Sequence, residues 1–382
     1  MEKNLDILRE EIDSIDEQLV ELFSRRMEIC GDVARYKKSV GKNVFDPERE
    51  RKKLANIAEM SGEEMRDYTT SLYSLIFDLS KAHQQRIVGG ETKHAKRILS
   101  AIESTEKVFP SYATVACQGV EGAYSQLACE RLFSVPNIVY FKNFDAVFTA
   151  IEQGFCQYGV LPIENSTAGS VNQVYDLMMR HNFSIVRSVR LKVDHSLMAL
   201  RGAEIGGIKE IVSHEQAINQ CAGFLKSMGN VKITVCENTA AAAKLVAESG
   251  RMDLAALCSN DCAKLYSLIS LKDAVQDEGS NFTRFICISK DLEIYPGADK
   301  TSIMAVTAHK PGALYKLLSR FYSRGINLTK LESRPLPNKN FEFMFYFDLE
   351  KSVYAPELLT LMDELSDMCD SFEYLGSYTE VV

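Results

Sequence analysis

Tryptophan is missing altogether from these 382 residues, and there are only nine prolines and six histidines. Cofactor signatures are missing as well: there is no H-E-x-x-H, no clustered His/Cys set, no G-x-G-x-x-G, and no P-loop lysine after the glycine pair Gly119 and Gly122. These gaps argue against a metal centre or a bound nucleotide, and no cofactor is expected. The ten cysteines are scattered without a single C-x-x-C, which suits reduced thiols in a cytoplasmic setting. No apolar run is long enough to span a membrane. The opening "MEKNLDILREEIDSIDEQL", acidic throughout, reads as neither a signal nor a transit peptide, so no membrane partner is expected. A basic surplus is lacking too: 44 Lys and Arg against 52 Asp and Glu give a net charge of −8, which argues against a nucleic-acid partner.

What is present belongs to a soluble, multidomain chain. Hydrophobic residues make up 46% and charged residues 25%, and the length fits two to four domains. Apolar positions at Leu8, Ile12, Ile15, Leu19, Leu22, Ile29 and Val33 alternate steps of three and four. That seam predicts a helix some 35 residues and about 50 Å long, which needs partners along its whole length. One seam slot holds Arg26, and Lys37 lies on nearly the same side of the helix. Two cations facing inward predict a bound anion between helices. Asp46 with Pro47 reads as the cap of a second helix, and a third is expected over roughly 63–87, with Ser80 and Gln84 on one face. Residues 91–111 read as a charged, partly helical linker.

From residue 112 the period changes to alternating strand and helix, predicting an α/β domain with parallel strands to about residue 290. Short polar loops at its strand ends ("GVEGAYS", "ENSTAGS", "SHEQ") would bring backbone N–H groups and hydroxyls to helix N-termini, a setting for an anion. Residues 300–382 read βαββαβ, a ferredoxin-like α+β module.

Three stretches resemble known families. Residues 1–90, through "RRMEICGDVARYK", "DPERE" and "LSKAHQQ", resemble the all-helical chorismate mutases. Residues 112–290, through "LPIENSTAGSV", "SHEQAINQC" and "NFTRF", resemble prephenate dehydratase, whose fold has two lobes like a periplasmic binding protein. Residues 300–382, through "GAL" and "ESRP", look like an ACT regulatory domain. Together, in this order, they resemble the bifunctional chorismate mutase/prephenate dehydratase family of phenylalanine biosynthesis.

The resemblance implies a chorismate cage of Arg9 (reaching the partner chain of a homodimer or larger homo-oligomer), Arg26, Asp46, Arg49 and Ser80. Lys37, Gln84 and a protonated Glu50 would donate to the ether oxygen. For the dehydratase it implies Thr283 as the catalytic residue, with Glu164, Asn165, Ser213, Gln220 and Arg284 binding prephenate, although strand alternation points Arg284 away from Thr283. Phenylalanine would bind Gly312, Ala313, Leu314, Glu332, Ser333, Arg334 and Pro335. Two alternatives stay open: an amino-acid-responsive sensor without dehydratase activity, and an arogenate-preferring dehydratase.

Overall fold

A computed structural model describes residues 4–41, 46–88, 93–337 and 342–382. It divides into two compact units, one up to Lys93 and one from His94 onward.

The first unit is helical: α1 (Leu5–Ser39), α2 (Pro47–Met60) and α3 (Gly62–Val88). Asp46 caps α2, its Oδ1 accepting from the Arg49 backbone N–H at 3.1 Å, with Pro47 in the first helical position. Both features follow from the sequence, since proline has no N–H to lose there. Within one chain α1 buries only Gly31 and Ala34. The seam residues Ile12, Ile15, Leu19 and Leu22 remain 54–62% exposed.

The second unit opens with α4 (Lys93–Ser104). Its strands are β1 (Tyr112–Gln118), β2 (Val135–Phe141), β3 (Tyr158–Asn165), β4 (Gly169–Ser170), β5 (Ser184–Lys192), β6 (Ser196–Ala199), β7 (Glu210–Ser213) and β8 (Lys232–Val235). They continue as β9 (Leu254–Cys258), β10 (Ile269–Lys272), β11 (Phe282–Ser289), β12 (Lys300–Val306), β13 (Asn327–Pro335), β14 (Phe343–Glu350), β15 (Ser371–Tyr378) and β16 (Glu380–Val381). Three sheets result: β16-β5-β11-β3-β1-β2, with β4 beside β3; β10-β6-β9-β7-β8; and β13-β14-β12-β15. The first two make two lobes, and the chain crosses between them twice, after β5 and before β11. The third is antiparallel throughout and has the βαββαβ order that the sequence predicts.

Three expectations need correction. The two lobes are not purely parallel: β1, β2 and β3 run parallel, as do β7, β8 and β9, but β11 is antiparallel to both β3 and β5. A strand that returns from the other lobe enters from the opposite end, which no local period reveals. Residues 91–111 are more than a linker. Ile98 and Ala101 of α4 lie in the core of the third sheet with Ile303, Phe321, Phe347 and Leu361, and the Thr105 hydroxyl accepts from the Ile294 backbone N–H at 3.0 Å. Finally, the C-terminal strand does not stop in its own sheet. β16 leaves it and pairs in parallel with β5 of the first lobe.

Candidate active sites

In the helical unit, Arg26 is half-buried and donates to the Ser80 hydroxyl, with its guanidinium carbon 5.5 Å from the centre of the Phe77 ring. Ser80 in turn donates to the Ile76 carbonyl at 2.6 Å. Gln84, one turn on, has a buried side-chain oxygen without a partner among the described residues. Lys37 is half-buried in the last turn of α1. Of these, Arg26 and Ser80 join α1 to α3, Gln84 follows Ser80 on α3, and Lys37 lies about three turns beyond Arg26 on α1. Arg49 and Asp46 sit at the start of α2, where the Asp46 side chain serves as the cap. Glu50 lies against Lys81 at 3.2 Å, and Lys81 pairs with Asp78 at 3.0 Å. Arg9 is exposed beside Asp6 near the other end of α1, about 42 Å from Lys37 at 1.5 Å per residue.

In the second unit, β3 and β11 pair with Asn165 opposite Thr283 and Glu164 opposite Arg284. Side chains alternate along a strand, so Asn165 and Thr283 share one face while Glu164 and Arg284 share the other. On the first face, the Asn165 amide nitrogen donates to the Thr283 hydroxyl oxygen at 2.9 Å and to Asn281 Oδ1 at 2.7 Å. Asn281 donates to Gln220 Oε1 at 3.0 Å, which also lies 3.0 Å from His195 Nε2. Gln220 and Asn281 line a cavity of about 440 Å³, together with Thr167, His214, Gln216 and Asn219. Burial pushes the His195 pKa below its ordinary value despite its bond to Gln220, which leaves a neutral ring at neutral pH.

Sequence reasoning missed Asn281 and His195. For Asn281 a signal was available, since it lies two residues before Thr283, just ahead of β11, where an extended chain would turn both the same way. For His195 there was none, because the fold brings it there from a different lobe-to-lobe crossing.

Three expected substrate ligands lie elsewhere. Ser213 is fully buried and its hydroxyl donates to the Leu257 carbonyl at 2.7 Å, bridging β7 to β9. Arg284 is buried against Asp348 of β14, and Glu164 pairs with Lys330 of β13 at 3.3 Å. Burial disfavours the Arg284 charge, yet the Asp348 carboxylate beside it raises its pKa further. Neither Arg284 nor Glu164 lies on the strand face that carries Thr283 and Asn165.

Alternation also divides the "ESRP" stretch of β13. Glu332 accepts from the Ser170 hydroxyl, and Arg334 makes a two-pronged ion pair with Asp176 at 2.8 and 2.9 Å. Both therefore face the first lobe. Ser333 and Pro335 are exposed on the opposite face. Gly312 takes φ of +79° before the helix Ala313–Tyr322, a conformation costly for any residue with a Cβ, and the space around it is open. Ala313 and Leu314 form the first turn of that helix.

Among the described residues no group of three or more His, Cys, Asp or Glu could hold a metal, and no helix is long and apolar enough to cross a membrane. Residues 8–85 match the family model for chorismate mutase type II, and residues 115–293 match that for prephenate dehydratase. The Arabidopsis thaliana protein "Arogenate dehydratase/prephenate dehydratase 2, chloroplastic" is 39% identical over 73% of this chain and 76% of its own. A solved structure of prephenate dehydratase from Arthrobacter aurescens in complex with L-Phe is 26% identical, with a TM-score of 0.64 over 70% of this chain and 90% of that one. The bifunctional chorismate mutase/prephenate dehydratase of Escherichia coli K12 is 31% identical over 97% of this chain and 95% of its own. A helical unit of one kind, a two-lobed unit of the other, and a relative that matches both in one polypeptide establish that this chain belongs to the bifunctional chorismate mutase/prephenate dehydratases.

Proposed function

We propose that residues 1–90 rearrange chorismate to prephenate, that residues 112–290 convert prephenate to phenylpyruvate at Thr283, and that phenylalanine inhibits the second step through residues 300–382. The first reaction needs neither nucleophile nor proton transfer, only a cage that holds the compact conformer and stabilises charge separating across the breaking C–O bond. Arg26, Lys37 and Gln84 suit that task, with Ser80 and Phe77 fixing Arg26. Arg9 is too distant to join them in one chain, so it serves the site of a second copy in a homodimer.

In the second reaction the bond to the ring carboxylate breaks and carbon dioxide leaves. The electron pair completes the aromatic ring as the ring hydroxyl departs, taking a proton to become water. The observation that carries the assignment is the Asn165 bond to Thr283: the hydroxyl oxygen accepts there, so its hydrogen is available to the leaving group. Phenylalanine fits the open space around Gly312 and the exposed Ser333 side of β13, and the L-Phe named with the Arthrobacter aurescens structure supports that ligand.

The test is incubation with chorismate and no cofactor. Phenylpyruvate should accumulate, phenylalanine should slow it, and Gly312→Val with Ser333→Val should relieve the inhibition. No phenylpyruvate would refute the reading. One observation favours arogenate as a second substrate: the cavity lining includes Glu215, Asp277 and Glu278 but neither Lys nor Arg, which suits a ligand bearing an ammonium group. Comparing kcat/KM for prephenate and arogenate decides between them.

A further inference from the structure

Which atom donates in the chain of side chains behind Thr283 follows from two backbone amides. Thr167 N and Ala168 N point at Asn165 Oδ1, at 3.1 and 2.8 Å. A backbone N–H can only donate, so this end of the Asn165 amide must be oxygen and its nitrogen faces inward. The two hydrogens on that nitrogen reach Thr283 Oγ1 and Asn281 Oδ1. Asn281 thereby presents its oxygen to Asn165 and its nitrogen to Gln220, whose facing atom must be Oε1. The same oxygen lies 3.0 Å from His195 Nε2, so the imidazole carries its hydrogen on Nε2. Each amide is locked by the one before it, and all four residues are fixed without a free choice.

Two consequences follow. The Gln220 amide nitrogen, at a residue lining the cavity, has no protein partner among the described residues. A buried N–H left so is unfavourable until a ligand oxygen meets it. Thr283, already an acceptor from Asn165, has its own hydrogen left to give. Asn281, His195 and Asn165 are all buried.

We infer that Asn281 and His195 are positioning residues of the dehydratase site: their two hydrogen bonds converge on Gln220 Oε1 and turn the Gln220 amide nitrogen toward the substrate, while Asn165 keeps the Thr283 hydroxyl hydrogen available. The inference deepens the dehydratase reading and rests on it for its kinetic part, while the direction of the chain stands apart from it.

The full-length protein labelled with ¹⁵N-histidine, in a long-range ¹H–¹⁵N spectrum at neutral pH, should show His195 neutral with its hydrogen on Nε2; the signal is assigned by its loss in His195→Gln. Asn281→Asp keeps the side-chain size but removes the donor to Gln220, so the Gln220 amide should reverse and His195 should move its hydrogen to Nδ1. Dehydratase kcat should fall roughly ten- to a hundredfold, the scale of a misplaced reacting group, with KM raised and the mutase rate unchanged. His195→Gln, which retains an N–H donor, should keep more activity than His195→Leu. A wild-type His195 that is charged or carries its hydrogen on Nδ1 would overturn the inference. So would an Asn281→Asp variant with unaltered tautomer and wild-type kcat, or equal activity in the two His195 variants. If wild-type protein makes no product from prephenate or arogenate, the dehydratase reading fails, while the spectrum still decides the direction of the chain.

Discussion

Thr283 is a weak acid, and its usefulness depends on where its single hydrogen points. The Asn165 bond settles that, because an oxygen that already accepts is oriented to donate elsewhere. Thr283→Ala should lower phenylpyruvate formation by about 10²–10⁴, the usual range for a positioned acid, and leave chorismate consumption intact. Thr283→Ser should recover part of it, and coupled assays of both steps would check the pair. His195 makes a second prediction, this one about pH. Its pKa is held below the ordinary 6.5 by burial, so below that pH the unfolded chain binds the proton more readily than the folded one. Stability from this group is therefore fully present above about pH 6.5 and is lost as pH falls through the interval down to the folded-state pKa. Urea denaturation at pH 7.5 and 5.5 should show a drop that His195→Gln reduces.

At the scale of the element, α1 is a helix without enough of its own chain to cover it. Its seam is more than half exposed at Ile12, Ile15, Leu19 and Leu22, and Arg9 and Lys37 stand too far apart along it to share one site. A second copy laid along it would bury the seam and bring Arg9 to the other chain's Arg26 and Lys37. Ile15→Asp should therefore abolish mutase activity and weaken self-association in sedimentation, while dehydratase activity persists. Strands obey a different rule, and alternation by two residues explains where the expected ligands went. Glu164, Arg284, Glu332 and Arg334 all lie on strand faces turned toward the contact between the first lobe and the third sheet, and there they pair with Lys330, Asp348, Ser170 and Asp176.

For the second unit as a whole, the third sheet is not an appendage. Met304, Val306, Met344, Tyr346, Leu375 and Tyr378 share one buried cluster with Val147, Ile151, Leu161, Ile163 and Ile286 of the first lobe. A Cβ on Gly376 would lie 2.2 Å from the Ile185 carbonyl oxygen, and its φ of +147° suits glycine alone. Gly376→Ala should cost at least the roughly 1–3 kcal/mol typical of overpacking, measured by chemical denaturation. Asp348→Ala, which leaves the buried Arg284 only the more distant Glu164 carboxylate at 3.6 Å, should cost up to about 3–5 kcal/mol. Ending the chain at residue 299 would remove β16 from the first lobe's sheet and open its core. The expected result is insoluble protein rather than an uninhibited dehydratase, and expression with circular dichroism checks this.

The sequence by itself determined the three-part order, the long first helix, the Asp46 cap and the βαββαβ module. These are written in local periods and short motifs, where each residue's neighbours in the chain are also its neighbours in space. Even the opposite orientations of Thr283 and Arg284 follow from strand alternation. Only the tertiary structure decided what lies across from them: that Glu164 and Arg284 meet the third sheet, that Ser213 holds two strands together, and that α4 is core. His195 reaches Gln220, and through it Asn281 and Asn165, only because the chain crosses between lobes twice. Hydrogen-bond direction is set by contacts distant in sequence, so no local pattern could have carried it.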